Sequence, residues 1–317
     1  MYALHAKLQQ RVPVHNVLGE NALWHPVLQR FYWIDIELGR LHWLGADLQQ
    51  VQQVDLPERI GSFGFLEPSA AAPFQFVVAL QSGFALYDAN SQQLRWLAKP
   101  EQHIRGNRFN DGRTDRQGRF WAGSMVEQPS HISQSGALYQ LGPQGQAIAH
   151  LHQVQISNGL CWSLNGRHMY HADSPRHQLW QYDYAPASAT LSNPRLFAEF
   201  AHNASPDGAT VDAEDHVWIA LWGTSTVVRL DERGQVCLTI TLPVSQPSSV
   251  AIGGANGDLL FVTTSRLGLN RQQLLSQPAA GDVFIYQLSR PLAVPESVCR
   301  LEPAWLDDAI CHDIPVL

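Results

Sequence analysis

Two carboxylates, two carboxamides and two hydroxyls recur at one offset in this chain. Glu20, Ser62, Asn110, Asn158, Asp207 and Ser248 each stand roughly a dozen residues ahead of a recurring aromatic, in order Tyr32, Phe76, Trp121, Tyr170, Trp218 and Phe261. If equivalent positions of a repeat converge on one point, these six side chains form a polar ring. Glu20 stands alone among apolar neighbours, where a carboxylate is costly to bury unless it is paired or bound to a metal. Its shared register with Asn158 and Asp207 favours a site over an isolated loop carboxylate.

Such a ring needs a repeating scaffold. Residues 205–234 read as its unit: a Pro206-Asp207-Gly208 turn, then three short runs of alternating residues separated by tight turns. A sheet of that size is marginal alone and needs copies to pack against. The aromatics are spaced by about 45 residues, the period of one four-stranded propeller blade. The downstream strand recurs as well, for example in Gly83-Phe84-Ala85-Leu86-Tyr87 and Gly281-Asp282-Val283-Phe284-Ile285-Tyr286. The expectation is all-β: one six-bladed β-propeller over 1–317, in which the starts of the innermost strands meet at one mouth of the channel. Residues 1–14 are expected to close the ring by completing the last blade, and residues 294–317, with Trp305 and Asp307-Asp308, to pack outside as a tail.

Blade three is the densest in polar residues, Gly106-Asn107-Arg108-Phe109-Asn110-Asp111-Gly112. Period-two alternation points Arg108 and Asn110 toward the mouth and Asp111 the other way, as a buttress. Asp115 to Arg119 reads as a turn, blade two offers no charge to the ring, and residues 126–135 are long for a hairpin and form a candidate flap. His168, His171 and His177 fall past the first strand of blade four and read as surface or core residues. Cys161, Cys237, Cys299 and Cys311 lack CxxC spacing and read as reduced, mostly buried thiols.

Composition excludes several classes. Apolar residues make up 45% and charged ones 15%, with a formal charge of −7, which fits a soluble globular chain and gives no reason to expect nucleic acid. No apolar run approaches a membrane span. The N-terminal MYALHAKLQQRVPV lacks the apolar core of a signal peptide, so the expected location is cytoplasmic.

Gly19-Glu20, Asn107-Arg108-Phe109-Asn110-Asp111-Gly112, Ser157-Asn158-Gly159-Leu160 and Pro206-Asp207-Gly208 together resemble the motifs of the SMP-30/gluconolactonase/regucalcin family, over roughly residues 18–288. The resemblance implies a six-bladed propeller with one divalent cation in the channel and, in many members, hydrolysis of sugar lactones. It implies Glu20, Asn158 and Asp207 as metal ligands, Asp207 as catalytic acid/base, and Arg108, Asn110, Glu127 and Gln128 at substrate-binding positions. Two departures stand out. Asn21 and Ala22 replace the Gly-Pro that commonly follows Gly-Glu, and Gln128 puts an amide where animal regucalcins have a second acidic residue.

Two carboxylates and a carboxamide are hard donors suited to Ca²⁺ first, then Mg²⁺ or Mn²⁺; Zn²⁺ would lack its preferred nitrogen or sulfur ligands. Such a cation polarises a lactone carbonyl and acidifies water, with Asp207 as the nearest base. The expected function is a metal-dependent, gluconolactonase-type lactonase acting on a sugar lactone, as a monomer or weak homo-oligomer. The alternative is a non-catalytic calcium-binding protein of regucalcin type. Arg108 and the candidate flap favour an enzyme, since a structural ion needs neither.

Overall fold

The computed structural model describes residues 4–69, 73–128 and 134–302. The short runs form six four-stranded sheets in which consecutive strands pair antiparallel across tight turns. The innermost strands are Gly19–His25, Ile60–Phe65, Asn107–Thr114, Ser157–Trp162, Ser205–Val211 and Pro247–Gly253. Each packs against the next around a central channel, giving the expected six-bladed β-propeller. Ala6–Val12 pairs antiparallel with Val283–Leu288 as the outer strand of the sixth sheet, so the two ends of the ring are joined by a backbone ladder. No helix among the described residues is long and apolar enough to cross a membrane.

The six recurring aromatics lie on the second strand of their blades, and all are buried. Leu23, Tyr32, Phe63, Phe65 and Phe76 share one cluster between blades one and two; Trp121, Leu138, Leu160 and Trp162 share another between blades three and four. Burying one such large side chain contributes about 1.5–3 kcal/mol relative to exposure, so blades too small to stand alone hold one another. Two tryptophans also fasten turns. Trp218 Nε1 donates to Asp212 Oδ2 at 2.7 Å, and Trp121 Nε1 to Asp115 Oδ2 at 3.2 Å. The other oxygen of each aspartate accepts backbone N–H groups of its own turn, including that of Arg119 on Asp115.

One irregularity repeats in every innermost strand. The pairing register shifts between Glu20 and Leu23, Ile60 and Ser62, Phe109 and Gly112, Asn158 and Cys161, Pro206 and Ala209, and Pro247 and Ser249. Each strand carries one more residue there than its partner. Such a bulge breaks period-two alternation, so adjacent side chains can be aimed at the same place.

After blade six the chain runs beneath the end of the channel opposite the mouth. Cys299 N donates to Phe65 O at 2.6 Å, Arg300 N to Gly118 O at 2.8 Å and Glu302 N to Pro143 O at 3.1 Å. Glu296 from this segment pairs with buried Arg113, whose Nη1 also reaches Ala209 O in blade five at 2.6 Å. Trp305, Asp307, Asp308 and Cys311 lie outside the described residues, as do residues 129–133 of the candidate flap.

Candidate functional site at the channel mouth

Aspartates at the ends of second strands set the lead-in to two site strands. Asp35 accepts from Val17 N at 2.7 Å and Leu18 N at 3.2 Å, just ahead of Glu20. Asp173 accepts from Ile156 N at 2.9 Å, just ahead of Asn158. At the bulges that follow, Asn21 and Gly159 adopt left-handed backbone, with φ of 47° and 62°. Glycine and asparagine are the residues that accept this conformation most readily. Asn21 adds what a glycine could not: its Nδ2 donates to Gly112 O at 2.9 Å and its Oδ1 accepts from Phe63 N at 2.8 Å, tying blades one, two and three together.

Two pairs of the expected ring residues are neighbours: Glu20 with Asp207, and Asn110 with Asn158. The Glu20 and Asp207 carboxyls are buried and close enough for each to act on the other's charge. Asn110 Nδ2 donates to Asn158 Oδ1 at 3.1 Å and to Ser157 O at 2.9 Å. Asn110 Oδ1 accepts from Arg108 Nη1 at 2.8 Å. The orientation of Asn158 follows from its other neighbour. Ser174 Oγ gives its one proton to Pro206 O at 2.7 Å, so at 2.8 Å it must accept from Asn158 Nδ2, leaving Asn158 Oδ1 on the Asn110 side.

Burial raises the pKa of both Glu20 and Asp207 above the usual carboxylate range, and repulsion from neighbouring carboxylates adds to the rise. Asp111 is one of those neighbours. The sequence pattern turned it away from the mouth, but the bulge in its strand breaks that alternation. Its buried carboxyl accepts from Leu160 N at 2.9 Å, so it does buttress blade four, and it also adds negative potential at Glu20 and Asp207. Burial pushes Asp111 itself up to about 6. Among the described residues neither Glu20 nor Asp207 has an arginine or lysine in ion-pair contact. No group of three His, Cys, Asp or Glu is gathered for an ion among those residues. The donor set is instead two carboxylates with the Asn158 carboxamide oxygen. Buried like charges without a cationic partner beside a neutral oxygen are a combination that a divalent cation relieves, and in that respect the residues fit one.

The wall of the mouth comes from blades two and three. The Arg108 side chain is only 4% exposed and its Nε donates to Glu127 Oε1 at 3.2 Å. Glu127 is gripped at two points by Arg59, with Nη1 at 2.9 Å and Nη2 at 2.8 Å. Gln128 is exposed, and its backbone N–H donates to Gly106 O at 3.1 Å.

Two of the six expected ring members do not join. Ser62 is fully buried against Gly112 with its hydroxyl lacking a hydrogen-bond partner, and Ser248 donates to the backbone carbonyl of Gly19. His171 is buried on Ser157 Oγ at 2.9 Å, and His177 Nδ1 lies 3.1 Å from Ala204 O. Burial pushes the Cys161 and Cys299 thiols up to about 12, so neither is a nucleophile; Cys237 is exposed. A separate cavity of about 610 Å³, lined by His25, Tyr32, Trp43 and Phe76 among others, lies between blades one and two at the opposite ends of their strands. It contains none of the site residues.

A six-bladed propeller with a buried acidic group and carboxamides at one mouth is the class that fold and site define. Residues 18–266 match the family described as SMP-30/Gluconolactonase/LRE-like region, and the chain belongs to that family. It is 36% identical over 282 residues to 6-deoxy-6-sulfogluconolactonase of Pseudomonas putida, covering 87% of this chain and 93% of the relative. It is 31% identical over 283 residues to human regucalcin, covering 88% and 93%. Among solved structures, regucalcin from Agrobacterium tumefaciens, described as a calcium-binding protein, superposes with a TM-score of 0.84 at 25% identity, covering 93% of this chain and 98% of that one.

Proposed function

We propose that the protein is a cation-dependent lactonase that opens a sugar lactone at the channel mouth, with Glu20, Asn158 and Asp207 holding the cation. The observation that carries this reading is the closeness of two buried carboxyls, Glu20 and Asp207, neither of which has an arginine or lysine in ion-pair contact among the described residues. Lactonase activity is what the Pseudomonas putida relative is named for, and Ca²⁺ is the ion associated with the Agrobacterium tumefaciens regucalcin, which supports Ca²⁺ as the first candidate here.

When bound, the cation supplies Lewis-acid stabilisation of the charge that develops on the carbonyl oxygen. The remaining steps fall to the chain. Asp207 takes a proton from the attacking water at a carboxylate oxygen and returns it to the ring oxygen as the ester bond breaks, giving the hydroxy acid. Glu20 is the second negative ligand beside it. Arg108 offers Nη2 to ring hydroxyls, and Glu127 accepts from them. Asn110 has both amide hydrogens engaged, so it contributes to the ring only through the free lone pair of Oδ1 while holding Asn158 and Arg108 in place. Arg113, held by Ala209 O and Glu296 at the far end of the channel, restricts water entry from below.

A screen of aldonolactones against chelated and cation-reconstituted protein tests the reading. Turnover that appears only with the cation supports it. Turnover unaffected by chelation, with the metal shown absent by elemental analysis, rules out the cation-dependent form. No turnover of any lactone leaves cation binding without catalysis.

A further inference from the structure

Arg59 stands immediately before the innermost strand of blade two, the blade that brings no charge to the ring. Four of its five N–H groups have partners. Nε donates to Gln81 Oε1 at 3.0 Å, Nη1 to Glu37 Oε1 at 3.2 Å and Glu127 Oε1 at 2.9 Å, and Nη2 to Glu127 Oε2 at 2.8 Å. A two-point grip of this kind fixes the plane of a carboxylate as well as its position. It also turns Glu127 Oε1 onto Arg108 Nε at 3.2 Å. The hydrogen bonds from Arg59 are the main reason the Glu127 carboxyl is held below its ordinary pKa, so Glu127 stays charged.

Arg108 Nη1 is taken by Phe109 O and Asn110 Oδ1, which leaves Nη2 as its unengaged edge among the described residues. The charges on this wall cancel: Arg59 and Arg108 are met one for one by Glu37 and Glu127. Beyond it stand the carboxyls of Glu20, Asp111 and Asp207. The wall therefore presents a donor and an acceptor without surplus positive charge.

We propose that Arg59 is a specificity-determining positioning residue: by pinning Glu127 against Arg108, it makes the mouth accept uncharged polyol rings in preference to rings carrying an anionic group. A sugar hydroxyl can donate to Glu127 and accept from Arg108 Nη2 at once. An anionic substituent that accepts from Arg108 Nη2 meets a charge already balanced by Glu127 and lies beside that carboxylate, which repels it. The inference rests on the reading of this mouth as a sugar-ring site.

The test uses full-length, cation-loaded protein. Calorimetric titration with anhydroglucitol and with its phosphate ester reads ring preference without turnover, beside kcat and KM on gluconolactone and phosphogluconolactone. The wild type should favour the uncharged member of each pair by about 10-fold or more, the scale of one unfavourable charge contact. Glu127→Gln leaves the wall with one unmatched positive charge, Glu37 alone facing Arg59 and Arg108, and should shift both ratios about 10-fold toward the phosphate, a gain that damage to the fold cannot imitate. Arg59→Gln should raise KM for gluconolactone several-fold with kcat nearly unchanged, and Arg59→Lys, lacking the two-point grip, should restore only part of the loss. A wild type that takes the phosphorylated ring equally well, or a Glu127→Gln variant with unchanged ratios, overturns the proposal. Failure of the uncharged ring to bind overturns it too. If no lactone is hydrolysed but the binding preference and its shift hold, the lactonase reading fails and this inference stands.

Discussion

Ser174, at the start of a short 3-10 turn in blade four, orients Asn158 through a 2.8 Å hydrogen bond and is itself anchored by donating to Pro206 O, next to Asp207. It touches neither carboxylate yet couples two of the proposed cation ligands. Ser174→Ala frees the Asn158 carboxamide to rotate, which should weaken cation affinity by about 10-fold or more, the usual cost of losing a partner that orients a ligand. Calcium titration calorimetry checks this, with thermal unfolding of the cation-free protein as the control for general destabilisation.

Chelation should lower thermal stability as well as activity. A cation bound only by the folded state, present at a hundredfold excess over its Kd, adds about 2.7 kcal/mol to stability. Scanning calorimetry at graded free Ca²⁺ should show a midpoint rising with the logarithm of concentration. A flat response would mean that no such ion binds.

The fold was legible because one aromatic per blade must fill the space between sheets, and Tyr32, Trp121 and Trp218 do so with almost no exposure. The pairing of Glu20 with Asp207 and of Asn110 with Asn158 was legible from their common register. Facing within that register was not. The bulge in its strand lets Asp111 act on Glu20 and Asp207, and a bulge carries no reliable single-residue signal. Arg59 was hidden for another reason: it lies outside the strand repeat, and its partner Glu127 is 68 residues away. Glu296 is 183 residues from Arg113, a pairing that no local pattern encodes.

That distant pair supports a stability prediction. Arg113 is buried, with Nη1 on Ala209 O and Nη2 on Thr210 Oγ1, and Glu296 is its counter-charge. Removing one member of a buried pair strands the other, at a cost of about 3–5 kcal/mol. Glu296→Gln, which retains shape and one acceptor, should cost less than Glu296→Ala, and Arg113→Met should recover part of the loss when combined with Glu296→Leu. Denaturant midpoints of the single and double variants decide the order; additive losses would show that the two residues do not act as a pair.

Stability should also fall as the solution is acidified. His42 is stacked on Trp33 at 5.1 Å with both ring nitrogens lacking a hydrogen-bond partner, and His171 is buried on Ser157. Burial lowers both imidazoles from 6.5 to about 4. Between those values the unfolded chain binds more protons than the folded one, so the contribution is complete above about pH 6.5 and is lost as pH falls toward 4. The slope should be up to about 1.4 kcal/mol per pH unit for each histidine. His42→Leu should reduce the slope measured by denaturant titration in that window; an unchanged slope would assign it to other groups.

On the proposed mechanism, Asp207 is where catalysis and cation binding separate. Asp207→Asn keeps the size of the side chain and one oxygen donor but removes the charge and the base. Calcium should therefore still bind, more weakly, while kcat on a lactone falls by roughly 100-fold or more, a common contribution of general base catalysis. Arg108→Ala removes contacts made to the sugar in ground and transition states alike, so its main effect should be a higher KM. A protein that only stores or carries the ion has no means of producing that contrast. Measured at saturating calcium, near-wild-type kcat in Asp207→Asn would move the base to another group. A fall in kcat that tracks lost calcium occupancy alone would reduce Asp207 to a ligand.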